Sequence, residues 1–190
     1  HSIRRRQRQM CIRDRTQSEA SKAQDEKIIE VGERGTQNIL ESISDKCKII
    51  FPSTHVVYEG INEVKTNIME DEQLKPVLSY SSSKAINENQ LKKSGKNYVI
   101  LRLGSVYGYS TDSMRIDIMP NLFSKIASQN GTLKLFAGGR QIKSLVPLID
   151  VARCFKFMEE KNNISSETFN LTKDTLCLLY TSDAADDGLS

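Results

Sequence analysis

Apolar residues recur along this chain at two alternating spacings. From about residue 19 to 46 they fall at helical intervals, with Ile28, Ile29, Ile39, Leu40 and Ile43 as the apolar positions. Gly32 and Gly35 weaken the middle of that helix. Lys48–Phe51 is a short apolar run closed by Pro52 and predicts a buried strand. Residues 53–77 are polar and acidic and predict a long loop, of the kind that is usually functional or mobile. Tyr80–Ser94 predicts a helix with Gly95 as its stop, and Tyr98–Leu103 a second apolar strand. A helix over Ile116–Ser128 follows, then short strands at Leu133–Phe136 and Leu145–Ile149 flanking a turn at Gly138-Gly139. Asp150 is the expected N-cap of a helix over Val151–Lys161, and Thr168–Leu171 is a last strand. Strands that alternate with helices predict an α/β fold with a parallel sheet covered on both faces.

Composition narrows the class. Hydrophobic residues make up 38% of the 190 and charged residues 27%, the balance of a soluble globular domain. No apolar run approaches the roughly 18 residues that cross a bilayer, so no membrane partner is expected. Residues 1–15 lack the apolar centre of an export signal, which makes the cytoplasm the expected compartment. The formal net charge of +3 is a property of the two ends. Residues 1–15 hold six arginines against one acid, and residues 176–190 hold three aspartates and no base. Between them 21 bases meet 20 acids, so a basic nucleic-acid face is not expected. Both end strings, RRRQRQMCIRDR and LCLLYTSDAADDGLS, resemble translated sequencing-adapter sequence, and the fold is expected between them. Cys11, Cys47, Cys154 and Cys177 stand far apart, and histidine occurs at positions 1 and 55 alone. No metal site is expected from such spacing, and the cysteines read as reduced, mostly buried thiols.

The chemistry concentrates in Tyr80-Ser-Ser-Ser-Lys84 at the start of a predicted helix. Residues four apart share a helical face. A tyrosine hydroxyl is a poor base at neutral pH, with an unperturbed pKa of about 10. A neighbouring ammonium favours the phenolate. Such a tyrosine can exchange a proton with a substrate hydroxyl while hydride moves to a nicotinamide. Alone, the pair recurs in many helices as a solvated contact. Here Ser53 and Thr54 follow directly on the first predicted strand. Ligands of open α/β sheets bind outside the carboxyl ends of the strands. A hydroxyl there can hold the substrate oxygen that Tyr80 deprotonates, although turn chemistry also explains it.

Six segments carry a family resemblance: Gly35–Glu41, IIFPSTHVVYEG, YSSSKAINE, ILRLGSVYG, SLVPLIDVA and ETFNL. In that order and spacing they resemble successive motifs of the NAD-dependent epimerase/dehydratase family of extended short-chain dehydrogenases/reductases, over about residues 19–174. The resemblance implies a partial Rossmann-like doubly wound parallel sheet, with the first βαβ units missing and part of a small C-terminal substrate-binding region present. Residues 16–112 then belong to the NAD(P)-binding domain and 113–175 to a truncated, mixed Rossmann and substrate-binding portion. It implies Tyr80 as the acid/base, Lys84 as the ribose-binding lysine and Thr54 as the catalytic hydroxyl. Phe51, Pro52 and Ser53, with Tyr80, Lys84, Leu103 and Gly104, would border NAD or NADP. Thr54, His55, Ser105 and Lys143 would face a nucleotide sugar or related small molecule, in a parent enzyme that is a homodimer.

Several positions depart from the family pattern. Gly32 stands where the family usually has Asn, Ser105 replaces Asn before V-Y-G, and Glu59 is inserted before Gly60. Lys143 stands where an arginine often grips the diphosphate, and supplies a point charge without the bidentate fork. His55 and Val56 replace the Asp-Glu pair of the dehydratases, which disfavours water loss. No G-x-x-G-x-x-G turn occurs, so the pyrophosphate site is expected outside this sequence, and the piece alone is expected to be inactive. The implied reaction is sugar-nucleotide epimerisation by hydride transfer. The alternatives are an NAD(P)-dependent reductase or dehydrogenase, and a redox-silent nucleotide-binding member. Thr54, Tyr80 and Lys84 together argue against the last.

Overall fold

A computed structural model of the chain describes residues 22–61, 65, 67–112, 114–135, 142–173 and 177–178. In chain order its elements are α1 (Lys22–Ser42), β1 (Lys48–Thr54), a 3-10 helix (His55–Tyr58), α2 (Ser79–Lys93), β2 (Asn97–Leu103), β3 (Ser105–Tyr107), α3 (Met119–Ser128), β4 (Ile142–Lys143), β5 (Leu145–Pro147), α4 (Leu148–Glu160), β6 (Glu167–Leu171) and β7 (Cys177–Leu178). The expected alternation of strands and helices is met. Two compact units divide the chain, residues 1–101 with 162–169 and residues 102–161 with 170–190.

In the first unit α1 runs unbroken through both glycines. Packing explains this. Gly32, Thr36 and Leu40, four apart, form its buried stripe, and α1 packs against α2. A Cβ on Gly32 would collide with Ser83 Oγ. Asn87 Nδ2 donates to the Gly32 carbonyl at 3.0 Å, and Gln90 Nε2 to the Glu33 carbonyl at 3.2 Å. The glycine gives up helix propensity and gains close approach. Ile39 lies beside this stripe and is exposed. A Gly32→Leu substitution is expected to lower stability by about 1–3 kcal/mol through overpacking. Chemical denaturation would register it as a lower midpoint with an unchanged slope.

The sheet of this unit has the order β1-β2-β6. Val99, Ile100 and Leu101 of β2 are fully buried, as in a strand covered on both faces. Leu40, Phe51, Leu91, Tyr98 and Ile100 form the core, with Ile49 packed against it. β1 does not stop at Pro52 but continues to Thr54. Among the described strands β1 pairs with β2 alone, and an edge tolerates a residue that lacks an N–H. Gly95 takes a φ of 69° directly after the Ser94 cap of α2, the stop expected of it. Cys47 is exposed, contrary to the expectation of burial, because it lies in the turn between α1 and β1.

In the second unit β3 runs parallel to β5, with Ser105 opposite Leu145, and β4 runs antiparallel to β7. Cys177 and Leu178 of the C-terminal string are thus in regular structure, whereas residues 1–21 and 179–190 lie outside the described residues. α3 starts three residues later than its expected start at Ile116, with Pro120 in its first turn. The buried Asn121 accepts from the Gly108 N–H at 3.1 Å and donates to the Arg115 carbonyl at 2.9 Å, tying the preceding segment to that turn. Residues 133–135 form no strand; Leu133 and Leu135 are exposed. Phe136, Gly138 and Gly139 lie outside the described residues. Asp150 is not the cap of α4. Pro147 holds that position at φ −65°, and Asp150 lies in the first turn, where its charge suits the helix dipole and meets Arg153 at 3.1 Å. Half-burial pushes the Cys154 thiol pKa above its ordinary range. Among the described residues, no helix is long and apolar enough to cross a membrane.

Candidate functional site

The carboxyl end of β1 delivers Phe51, Pro52, Ser53 and Thr54 in succession. Phe51 is a core residue, and Ser53 and Thr54 are buried. Thr54 Oγ1 accepts from the Val56 N–H at 3.4 Å and so caps the 3-10 helix that begins at the half-buried His55. Helix α2 carries Tyr80 in its first turn and Lys84 one turn later. Lys84 is only 8% exposed. Its Nζ donates to the Pro52 carbonyl at 2.9 Å and lies 5.0 Å from the centre of the Phe51 ring and 5.8 Å from that of Tyr80. A carbonyl and two ring faces are the surroundings that make a buried ammonium tolerable.

One turn further, Glu88 is buried and accepts from Ser53 Oγ at 2.6 Å. Its other oxygen lies 3.9 Å from Lys92 Nζ. Two successive contacts, Lys84 to Pro52 and Ser53 to Glu88, therefore join β1 to α2. Ser53, expected along the cofactor cleft, turns its hydroxyl to this carboxylate.

Sequence reasoning passed over Glu88 and treated Glu59 only as an insertion. Glu59 Oε1 accepts from the backbone N–H groups of Val77 at 2.9 Å and Leu78 at 2.8 Å, and from the Ser81 hydroxyl. The predicted loop over 53–77 is thus pinned at both ends. The Gly60 N–H donates to the Lys75 carbonyl at 2.8 Å, and the Lys75 N–H to the Val57 carbonyl at 2.9 Å. A Cβ on Gly60 would lie 2.6 Å from the Lys75 oxygen. The signal available in the sequence was a carboxylate next to a glycine, with no hint of its distant partners.

The remaining expected site residues belong to the second unit. Leu103 ends β2, and Gly104 follows it. The Gly104 N–H donates to the Leu171 carbonyl at 2.9 Å, and the Ser105 N–H to the Ser144 carbonyl at 2.7 Å. A Cβ on Gly104 would lie 2.9 Å from that Ser144 oxygen, so glycine permits the crossing. Lys143 precedes Ser144 on β4 and is half-buried.

Residues 13–172 match the model of the NAD dependent epimerase/dehydratase family. No curated protein sequence matches the chain. Among solved structures, UDP-glucose 4-epimerase of Thermotoga maritima with UDP-glucose shares 24% identity and a TM-score of 0.72, covering 83% of this chain and 52% of that one. UDP-glucuronic acid 4-epimerase of Bacillus cereus, in complex with UDP-glucuronic acid and NAD, shares 25% identity and a TM-score of 0.66, covering 78% and 48%. dTDP-glucose 4,6-dehydratase of Bacillus anthracis in complex with NAD shares 19% identity and a TM-score of 0.69, covering 80% and 49%. The chain thus spans about half the length of these structures and has a partial Rossmann-like fold in common with them.

Proposed function

We propose that this chain, which belongs to the NAD-dependent epimerase/dehydratase family, carries the acid/base half of a hydride-transfer site for a nucleotide sugar. The observation that carries the reading is the Lys84 ammonium, fixed at the Pro52 carbonyl between the Phe51 and Tyr80 rings. It stands at the carboxyl end of β1, the end at which open α/β sheets bind their ligands. In this reading Tyr80 takes a proton from a sugar hydroxyl, and the charge of Lys84 favours the phenolate that receives it. Thr54 Oγ1 is oriented by the Val56 N–H and holds the same sugar oxygen.

The donor set fits a nicotinamide dinucleotide. An ammonium beside a phenol suits the two hydroxyls of a ribose. Phe51, Pro52 and Ser53 would border that group. When bound, it supplies a reversible hydride acceptor. His55 would face the nucleotide sugar.

Epimerisation is the reaction we favour. The 25% identity to a UDP-glucuronic acid 4-epimerase supports it. So do His55 and Val56, which stand where the dehydratases carry an acid–base pair. The longest product of the gene that contains this chain should be incubated with NAD and with UDP-glucose or UDP-glucuronic acid. The expected result is an epimeric sugar nucleotide with no net change in nicotinamide absorbance. Steady growth of reduced nicotinamide would instead make the protein a dehydrogenase. Failure to bind NAD at all would remove the reading.

A further inference from the structure

We infer that Glu59 is a positioning residue for Tyr80, because its carboxylate anchors the segment that leads into the helix carrying that tyrosine. The inference rests on the reading of Tyr80 and Lys84 given above.

A helix begins with backbone N–H groups that have no partner within it. The cap position of α2 is Leu78, whose side chain has no acceptor to offer. Ser81 supplies part of the remedy, since its Oγ accepts from the Leu78 N–H at 3.1 Å. Glu59 adds a second acceptor for that same N–H and one for the N–H of the residue before it. A single oxygen, Oε1, gathers the Val77 N–H, the Leu78 N–H and the hydroxyl of the fully buried Ser81. Helical bonding starts at once, with the Ser82 N–H on the Leu78 carbonyl at 2.8 Å. A carboxylate at this end also suits the helix dipole.

The position of the clamp gives it consequence. Glu59 directly follows the 3-10 helix that Thr54 caps, and it grips the start of the helix that holds Tyr80. One carboxylate therefore joins the elements bearing both hydroxyls expected at the substrate. Tyr80 is the second residue of α2, so no earlier turn restrains it. The pairing of Gly60 and Val57 with Lys75 keeps the two segments side by side, while Glu59 sets where the helix begins.

The test follows ionisation of Tyr80 through tyrosinate absorbance. Each variant of the longest gene product is read against the same variant carrying Tyr80→Phe. Two effects of Glu59→Ala have opposite signs. Removing a negative charge while nothing moves favours the phenolate and lowers the midpoint. Releasing Tyr80 from its place beside Lys84 disfavours the phenolate and raises it. The expected result is a rise of about one pH unit in Glu59→Ala. Glu59→Gln keeps an acceptor for the three donors and should show no rise. An unchanged or lowered midpoint in Glu59→Ala would overturn the inference, as would an equal rise in Glu59→Gln. Should Glu59→Ala not fold, Ser81→Ala deletes one leg of the clamp and must raise the midpoint, or the inference fails. Lys84→Met separates the two levels. If it leaves the midpoint in place, the Tyr80–Lys84 pairing itself is wrong, whatever Glu59 does.

Discussion

Replacing Tyr80 with phenylalanine should lower kcat about a thousandfold, since positioned proton transfer contributes about 10²–10⁴ in rate, and should weaken NAD binding only about threefold, the size of one neutral hydrogen bond. The substitution removes one oxygen and keeps the ring. The aromatic face 5.8 Å from Lys84 Nζ therefore survives, as do the core and the Lys84–Pro52 bond. In the proposed reading, what is lost is the group that takes the proton from the sugar hydroxyl. Without it, hydride cannot leave the carbon at a useful rate, because the developing carbonyl would keep its proton. Steady-state kinetics with NAD titrated separately would read both quantities. A variant that still turned over at a tenth of the native rate or better would remove Tyr80 from its role.

The second large effect is expected at Lys84. Its ammonium is buried, bonded to the Pro52 carbonyl and stacked between two rings, so Lys84→Met removes a charge and a structural bond together. We expect kcat to fall about a hundredfold, as the phenolate loses its neighbouring cation. NAD should bind about tenfold more weakly, the size of a lost charge-assisted hydrogen bond. Lys84→Arg should not restore function, because a planar guanidinium cannot occupy the place of a compact ammonium with its donor aimed at one carbonyl. Stopped-flow traces of nicotinamide reduction, with cofactor binding by fluorescence, would separate the two losses. If Lys84→Met altered stability alone, the residue would be a fastener between β1 and α2 and nothing more.

These expectations come from a site that was partly legible in the sequence. The closeness of Tyr80 and Lys84 was legible because four-residue spacing fixes a shared helical face whatever the tertiary fold. The place of Thr54 at the carboxyl end of β1 was nearly legible, because the apolar run before it predicts a strand, although that strand runs on to Thr54 itself. The alternation of strands and helices likewise follows from local periodicity. What escaped depends on partners distant in the chain. Gly32 reads as a flaw in a helix until Ser83 and Asn87 are brought against it. Pro52 reads as the end of a strand, yet β1 continues through it to Thr54. Glu59 reads as an insertion, and its worth comes from two N–H groups and a hydroxyl 18 to 22 residues away. Asp150 has the composition of a cap, but Pro147 starts the helix earlier. Leu133 and Leu135 alternate like a strand and have no described strand beside them.

The most direct test of the central claim is a crystal structure of the longest gene product grown with NAD. The account predicts a nicotinamide ribose whose hydroxyls lie within hydrogen-bonding distance of Lys84 Nζ and Tyr80 Oη, with Thr54 facing the sugar side of the ring. A dinucleotide bound with its ribose away from Lys84 would contradict it.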